Sequence, residues 1–253
     1  MKTLYCIIGN LRGGDLPVES FIEHLKDDET DVALYVGDTY PESKWRDIAK
    51  YIWETDETKN WWEDEYDKKI NDWRDWHHKT NIFGPYGVAG SGMIICAYRE
   101  KLLKKIETIK KYDRYVLARS DQVYVTNELP TVLKNEIYIP SGCAYCGVTD
   151  RFSVADYDSF CKSLNVLDTL KKIGETYPDN VERLLKKHYE NQNLDIVSTK
   201  RYMYSVARLD EQTRWKGVDD KCPKVNGEYY AKYPGEYQII FKRIKRGEIF
   251  NLY

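Results

Sequence analysis

The segment 111–121, KYDRYVLARSD, follows a charged helical stretch, YREKLLKKIETIKK at 98–111. Tyr115-Val116-Leu117-Ala118 is a short run of apolar, β-branched and aromatic residues, the pattern of a buried strand. The run stops at Arg119-Ser120-Asp121. In open α/β sheets, ligands bind outside the carboxyl ends of the strands. A cation and a carboxylate at such an end suit a phosphorylated ligand or a metal. A solvated strand end carrying an ordinary ion pair is the alternative.

Upstream, TLYCII (3–8) reads as a first buried strand, followed by Gly9-Asn10-Leu11-Arg12-Gly13-Gly14. Glycines let backbone approach a ligand closely, and an arginine pairs with a diphosphate. The segment is not GxGxxG, so a flexible turn is the competing reading and a Rossmann-type oxidoreductase is a poor one. Asp15 and Pro17 start a helix with Val18, Phe21, Ile22 and Leu25 on one stripe. DVALYV (31–36) is a second strand, closed by Gly37-Asp38. An acid there meets a ribose or base in many nucleotide-binding folds, or serves as a turn residue. Pro41 is expected to open a helix with Trp45, Ile48, Ala49 and Ile52 inward. This β-α-β-α rhythm predicts a mostly parallel central sheet flanked by helices, in a single Rossmann-like α/β domain.

Residues 53–80 break the rhythm as a Trp-rich helical insertion. Trp62, Tyr66, Ile70 and Trp73 share a helical face that points to a core. Trp61 and Trp76 fall off it and form either a sugar platform or contacts with a neighbour. Adjacent His77 and His78 diverge on a helix, a poor spacing for one metal. The glycine-rich connector 81–92 lacks the GK[ST] of a P-loop and leads into a helix over about 93–110.

Downstream, strands are expected at 122–125 and 136–139, then the segment CGVTDRF (146–152). A Leu-rich helix follows through Leu164, Leu167 and Leu170. Another carries Val181, Leu184, Leu185 and His188, the histidine reading as a packed core residue. Strands are expected at 194–198 and 202–207. Residues 211–253 form a Tyr-, Lys- and Gly-rich extension packed on the same domain, with 237–244 as an edge strand guarded by Lys and Arg.

Composition narrows the function. The chain has 253 residues and a formal charge of −2, so no general nucleic-acid footprint is present. No apolar run reaches the ~20 residues of a membrane span, and 4–8 is too short for a signal peptide; a cytoplasmic protein is expected. The six cysteines are scattered, which suggests free thiols in a reducing compartment. Cys143 and Cys146 form a lone CxxC without the second pair a zinc site wants. The 22 tyrosines and 7 tryptophans suit sugar-binding faces as well as cores.

The order IIGNLRGG, KYDRYVLARSD, IYIPSG (137–142), GVTDRFSVAD (147–156) and PDNVERLLKKHYENQNLDIV (178–197) resembles a group of glycosyltransferases with the GT-A nucleotide-sugar fold. Its members are bacterial, of capsular-polysaccharide type, and from large DNA viruses, chlorovirus-like. The likeness covers most of residues 1–210 and rests mainly on the R-x-D and G-x-x-D-R motifs.

The resemblance implies a hexosyl- or pentosyltransferase that moves a sugar from a nucleotide-sugar donor, a UDP-sugar in the family, to a glycan or other hydroxyl acceptor. It implies that Gly9, Asn10 and Arg12 line the diphosphate and that Asp38 lies near the base or ribose. Asp121 takes the place of the last acid of the family's DxD, which binds a divalent metal, Mn²⁺ or Mg²⁺. Here Arg119 replaces the first acid, and it can itself offset phosphate charge. The departing diphosphate needs a cation, and an inverting transfer needs a carboxylate to take the acceptor proton. Asp150, oriented by Arg151, is the expected base, with Asp156 and Asp158 in reserve; a structural Asp150–Arg151 pair holding the loop is the alternative. A non-catalytic sugar- or nucleotide-binding protein on the same framework is the competing class.

Overall fold

A computed structural model describes residues 1–56, 61–71, 73, 91–109, 112–142, 144–173, 180–210 and 222–247. Its centre is a seven-stranded sheet in the order β3-β2-β1-β4-β7-β6-β8. The strands are β1 (Thr3–Gly9), β2 (Thr30–Gly37), β3 (Tyr51–Thr55), β4 (Arg114–Arg119), β6 (Glu136–Pro140), β7 (Ser153–Ala155) and β8 (Asp195–Thr199). β3, β2, β1 and β4 run parallel. β7 is antiparallel to β4 and β6, and β8 is parallel to β6. The fold is therefore mixed α/β with a mostly parallel central sheet, as the alternating strand and helix patterns predict.

The parallel strands are apolar on both faces, because helices or packed loops cover each side. Leu4, Cys6 and Ile8 of β1 join Tyr115 and Leu117 of β4 on one face. There they meet α3 (Ser91–Ile106), α4 (Tyr157–Leu164), α5 (Val166–Ile173) and α6 (Val181–Asn191). Tyr5, Ile7, Val116 and Ala118 face the other side, with Val18 and Phe21 of α1 (Leu16–His24) and with Trp45. α2 (Trp61–Asp67) extends the first layer, and Trp62, Tyr66, Ile70 and Trp73 are buried there as their spacing predicts.

A second, antiparallel sheet runs β10-β11-β9-β5. It joins β5 (Gln122–Tyr124) and β9 (Met203–Arg208) to β10 (Lys224–Val225) and β11 (Tyr229–Ala231). α7 (Pro234–Lys245) packs on it through Ile240.

Several expectations are corrected. The helix expected after Pro41 is a run of turns, with Arg46 N–H bonded to Ser43 O and Asp47 N–H to Lys44 O. Lys50 N–H then bonds Val32 O and the chain enters β3, whose alternation leaves Ile52 exposed. Trp45 is fully buried all the same, against Phe21, with its Nε1 donating to Ser120 O at 3.2 Å. Ile22 is exposed because α1 buries a narrower stripe. The Leu-rich stretch is two helices broken at Asn165, whose side chain bonds Asp168 in the second. The 237–244 segment is part of α7, not an edge strand. Pro234 starts that helix, and Tyr237, Ile240 and Ile244 share the face that covers the small sheet. β7, only three residues long, has no counterpart among the expected strands.

Candidate active site

The site lies at the carboxyl edge of the parallel strands. β1 and β4 are in register from Thr3↔Arg114 to Ile8↔Arg119, so the loop after β1 meets the turn after β4. Ser120 Oγ donates to Asn10 O at 2.6 Å and accepts from Arg12 N–H at 3.1 Å. Gly13, at φ +93°, fits so closely that a Cβ there would sit 3.1 Å from Asp121 Cα. The glycines of this loop thus serve backbone approach, here toward the R-x-D turn. Arg12 is exposed, and its guanidinium makes no hydrogen bond or ion pair to the described residues. Thr39, beside Asp38 at the end of β2, donates to Asn10 Oδ1 at 3.1 Å. Asp38 itself is exposed at the same edge.

Arg119 grips Asp121 with two bonds, Nε to Oδ1 at 3.1 Å and Nη2 to Oδ2 at 2.8 Å. Lys232 Nζ lies 3.4 Å from the same Oδ2. Burial works to raise the Asp121 pKa, but Arg119 and Lys232 overcome it and hold the carboxyl at about 2. Lys232 is pulled down to about 8, by burial first and by Arg119 and Arg151 as well, against the pull of Asp121.

The Asp150–Arg151 turn joins the same cluster. Arg119 Nη1 is 3.9 Å from Asp150 Oδ2, and Arg151 Nε is 3.8 Å from Asp150 Oδ1. The turn's backbone is held from two sides. Arg99 of α3 donates to Asp150 O at 3.3 Å, and Gln122 of β5 donates to Arg151 O at 2.9 Å. Arg151 stacks on the Tyr233 ring at 3.7 Å and pairs with Glu236. Glu236 also meets Arg201 at 3.0 Å.

Glu182, in the first turn of α6, completes the acidic set. Gly147 packs on its backbone with no room for a Cβ, and Val148 N–H bonds Glu182 O at 3.1 Å. Burial raises the Glu182 carboxyl to about 6, helped by the charge of Asp150.

Gly9, Asn10, Arg12, Arg119, Asp121, Asp150 and Arg151 therefore meet at one edge of the sheet, and Asp38 lies at that edge on β2. The reserve acids do not. Asp156 caps α4 by accepting from Ser159 N–H, and antiparallel β7 carries it and Asp158 to the opposite edge, beside Tyr115. Trp61 is not an open platform: it is buried edge-on against Tyr98. Trp76, His77, His78 and Cys143 lie outside the described residues. His188 is a packed core residue, bonded to Thr169 and to Lys162 O, with burial pushing its pKa down to about 4.

Lys232, Tyr233, Glu236 and Glu182 are the site residues that the sequence reading missed. The only signal for the first three is Tyr-Pro-Gly-Glu after a short strand, a helix start, which says nothing about where the helix docks.

The donor set of the described residues does not fit a divalent cation. Mg²⁺ and the like take several oxygen ligands, with carboxylates supplying the charge. Both Asp121 oxygens are turned to Arg119 and Lys232, and a second arginine flanks Asp150. Among the described residues, no three His, Cys, Asp or Glu side chains are grouped to hold a metal ion.

No protein-family profile and no curated protein sequence matches the chain. Its structure is similar to that of a candidate nucleotide-diphospho-sugar transferase from Desulfovibrio desulfuricans G20. The TM-score is 0.40 and the identity 13%, over 79% of this chain and 80% of that one. Among the described residues, no helix is long and apolar enough to cross a membrane.

Proposed function

We propose that the protein is a glycosyltransferase that uses a nucleotide-diphospho-sugar donor. The observation that supports it is the convergence of three sequence-distant segments at one strand edge: the glycine loop after β1, Arg119–Asp121 after β4, and Asp150–Arg151. These are the segments on which the family resemblance rests. The glycine loop and Arg12 face the diphosphate, and Asp38 lies on the side of the nucleoside, a uridine by that resemblance.

In the proposed reaction the acceptor hydroxyl oxygen attacks the anomeric carbon of the sugar. The bond from that carbon to the diphosphate oxygen breaks, and the diphosphate leaves with the electron pair. Cations stabilise the charge that gathers there. The hydroxyl proton passes to a carboxylate, a single-displacement scheme that inverts the anomeric centre. Glu182 is the proposed acceptor of that proton, because no cation lies within 4.0 Å of it among the described residues and its pKa of about 6 suits a base at neutral pH. Asp150 then orients Arg119 and Arg151.

The test is a panel of nucleotide sugars offered with oligosaccharide acceptors, read by release of nucleoside diphosphate and by mass of the product. One donor giving diphosphate and a glycosylated acceptor is the expected result. Donor binding with no transfer to any acceptor would leave the non-catalytic binding protein as the correct class.

A further inference from the structure

Among the described residues, four cations crowd this site, Arg119, Arg151, Arg201 and Lys232, and the carboxylates within 4.0 Å of them are Asp121, Asp150 and Glu236. Several donors are left over. The Lys232 ammonium carries three N–H donors and makes one long bond, to Asp121. Arg119 spends Nε and Nη2 on Asp121, while its Nη1 stands 3.9 Å from Asp150, beyond hydrogen-bond range. Arg151 Nε is buried without a hydrogen-bond partner. The Arg119 and Lys232 donors are also reachable: 26% of the Arg119 side chain and 14% of Lys232 remain exposed, with Arg12 exposed at the same edge, whereas Arg151 is buried beneath them.

We infer that this cluster is a metal-free pyrophosphate site in which Arg119 and Lys232 hold the diphosphate group, and that Asp121 anchors those two cations instead of ligating a metal. The inference deepens the donor reading above and rests on it for the identity of the natural ligand. Arginine and lysine bind phosphate oxygens by charge-assisted hydrogen bonds, and a diphosphate offers enough oxygens to fill the open donors of both. A carboxylate doubly bonded by one guanidinium and approached by an ammonium is a poor ligand for a hard cation, but it fixes both cations in place.

The probe is inorganic pyrophosphate, titrated calorimetrically into the full chain in EDTA and again with Mn²⁺. Binding in EDTA is expected, and no variant is needed to read it. Lys232→Met is expected to weaken it about tenfold or more and Lys232→Arg to retain it, with each variant's melting curve as the check on folding. Pyrophosphate binding that requires Mn²⁺, or that Lys232→Met leaves intact, would overturn the inference. The two readings fail separately. Metal-free pyrophosphate binding without sugar transfer keeps this site and removes the transferase; sugar transfer that stops in EDTA keeps the transferase and removes this site.

Discussion

Arg201 and Glu236 form an ion pair at 3.0 Å in which neither side chain is exposed to solvent. Arg201 also donates to Ser141 O and Gly142 O, each at 2.8 Å. One carboxylate thus ties α7 to the loop after β6 and, through Arg151, to the Asp150 turn. Removing one partner of a buried pair leaves the other charge uncompensated, which costs roughly 3–5 kcal/mol. Glu236→Gln is therefore expected to lower unfolding free energy by about that amount in urea titrations. A change within about 0.5 kcal/mol, the usual range for surface sites, would mean that the pair is not a tie.

The proposed proton acceptor would leave a mark in the pH profile. As the proposed base, Glu182 must be ionised to accept a proton, so turnover is expected to rise with pH through about 6 and to level off above it. Glu182→Gln is expected to lower kcat by about a hundredfold or more, the usual scale of general-base catalysis, and to flatten that acid limb. An acid limb that survives in Glu182→Gln and disappears in Asp150→Asn would return the role to Asp150.

His188 makes folding sensitive to mild acid. Burial holds its folded pKa at about 4, below the ordinary ~6.5 of an unfolded chain. The folded state then binds fewer protons than the unfolded state across that interval. Stability is complete above the unfolded value and is lost as the pH falls toward the folded one. Between pH 7 and pH 5 the expected loss is about 2 kcal/mol. Urea unfolding at the two pH values measures it, and His188→Gln should remove most of the difference. Equal losses in both proteins would place the acid sensitivity elsewhere.

What could be read from the sequence follows from how each group is held. Ile7 of β1, Leu34 of β2 and Val116 of β4 sit in strands buried on both faces, so their runs are continuous and unmistakable. Trp45 belongs to turns, and its helix-like spacing with Ile48 and Ala49 arose from tight i, i+3 turns of similar pitch. Three-residue β7 is too short to carry a period. The same division holds at the site. Arg119–Asp121 and Asp150–Arg151 are marked by abrupt charge after apolar runs. Lys232, Glu236 and Glu182 stand among other charged residues at strand and helix starts, where a solvated side chain has the same local sequence. Only tertiary docking separates them.

The cluster is also assembled across long stretches of chain. Arg12 reaches Ser120 over 108 residues, Lys232 reaches Asp121 over 111, and Arg151 reaches Glu236 over 85. Contacts so distant in sequence close late and slowly. On the ribosome, β1 and β4 can pair and bury their faces while Asp121 and Arg151 still lack Lys232 and Glu236. The nascent protein thus passes through a stage with its large sheet largely built and this edge unfinished, and the charged cluster is complete only after the segment carrying Lys232 and Glu236 has emerged.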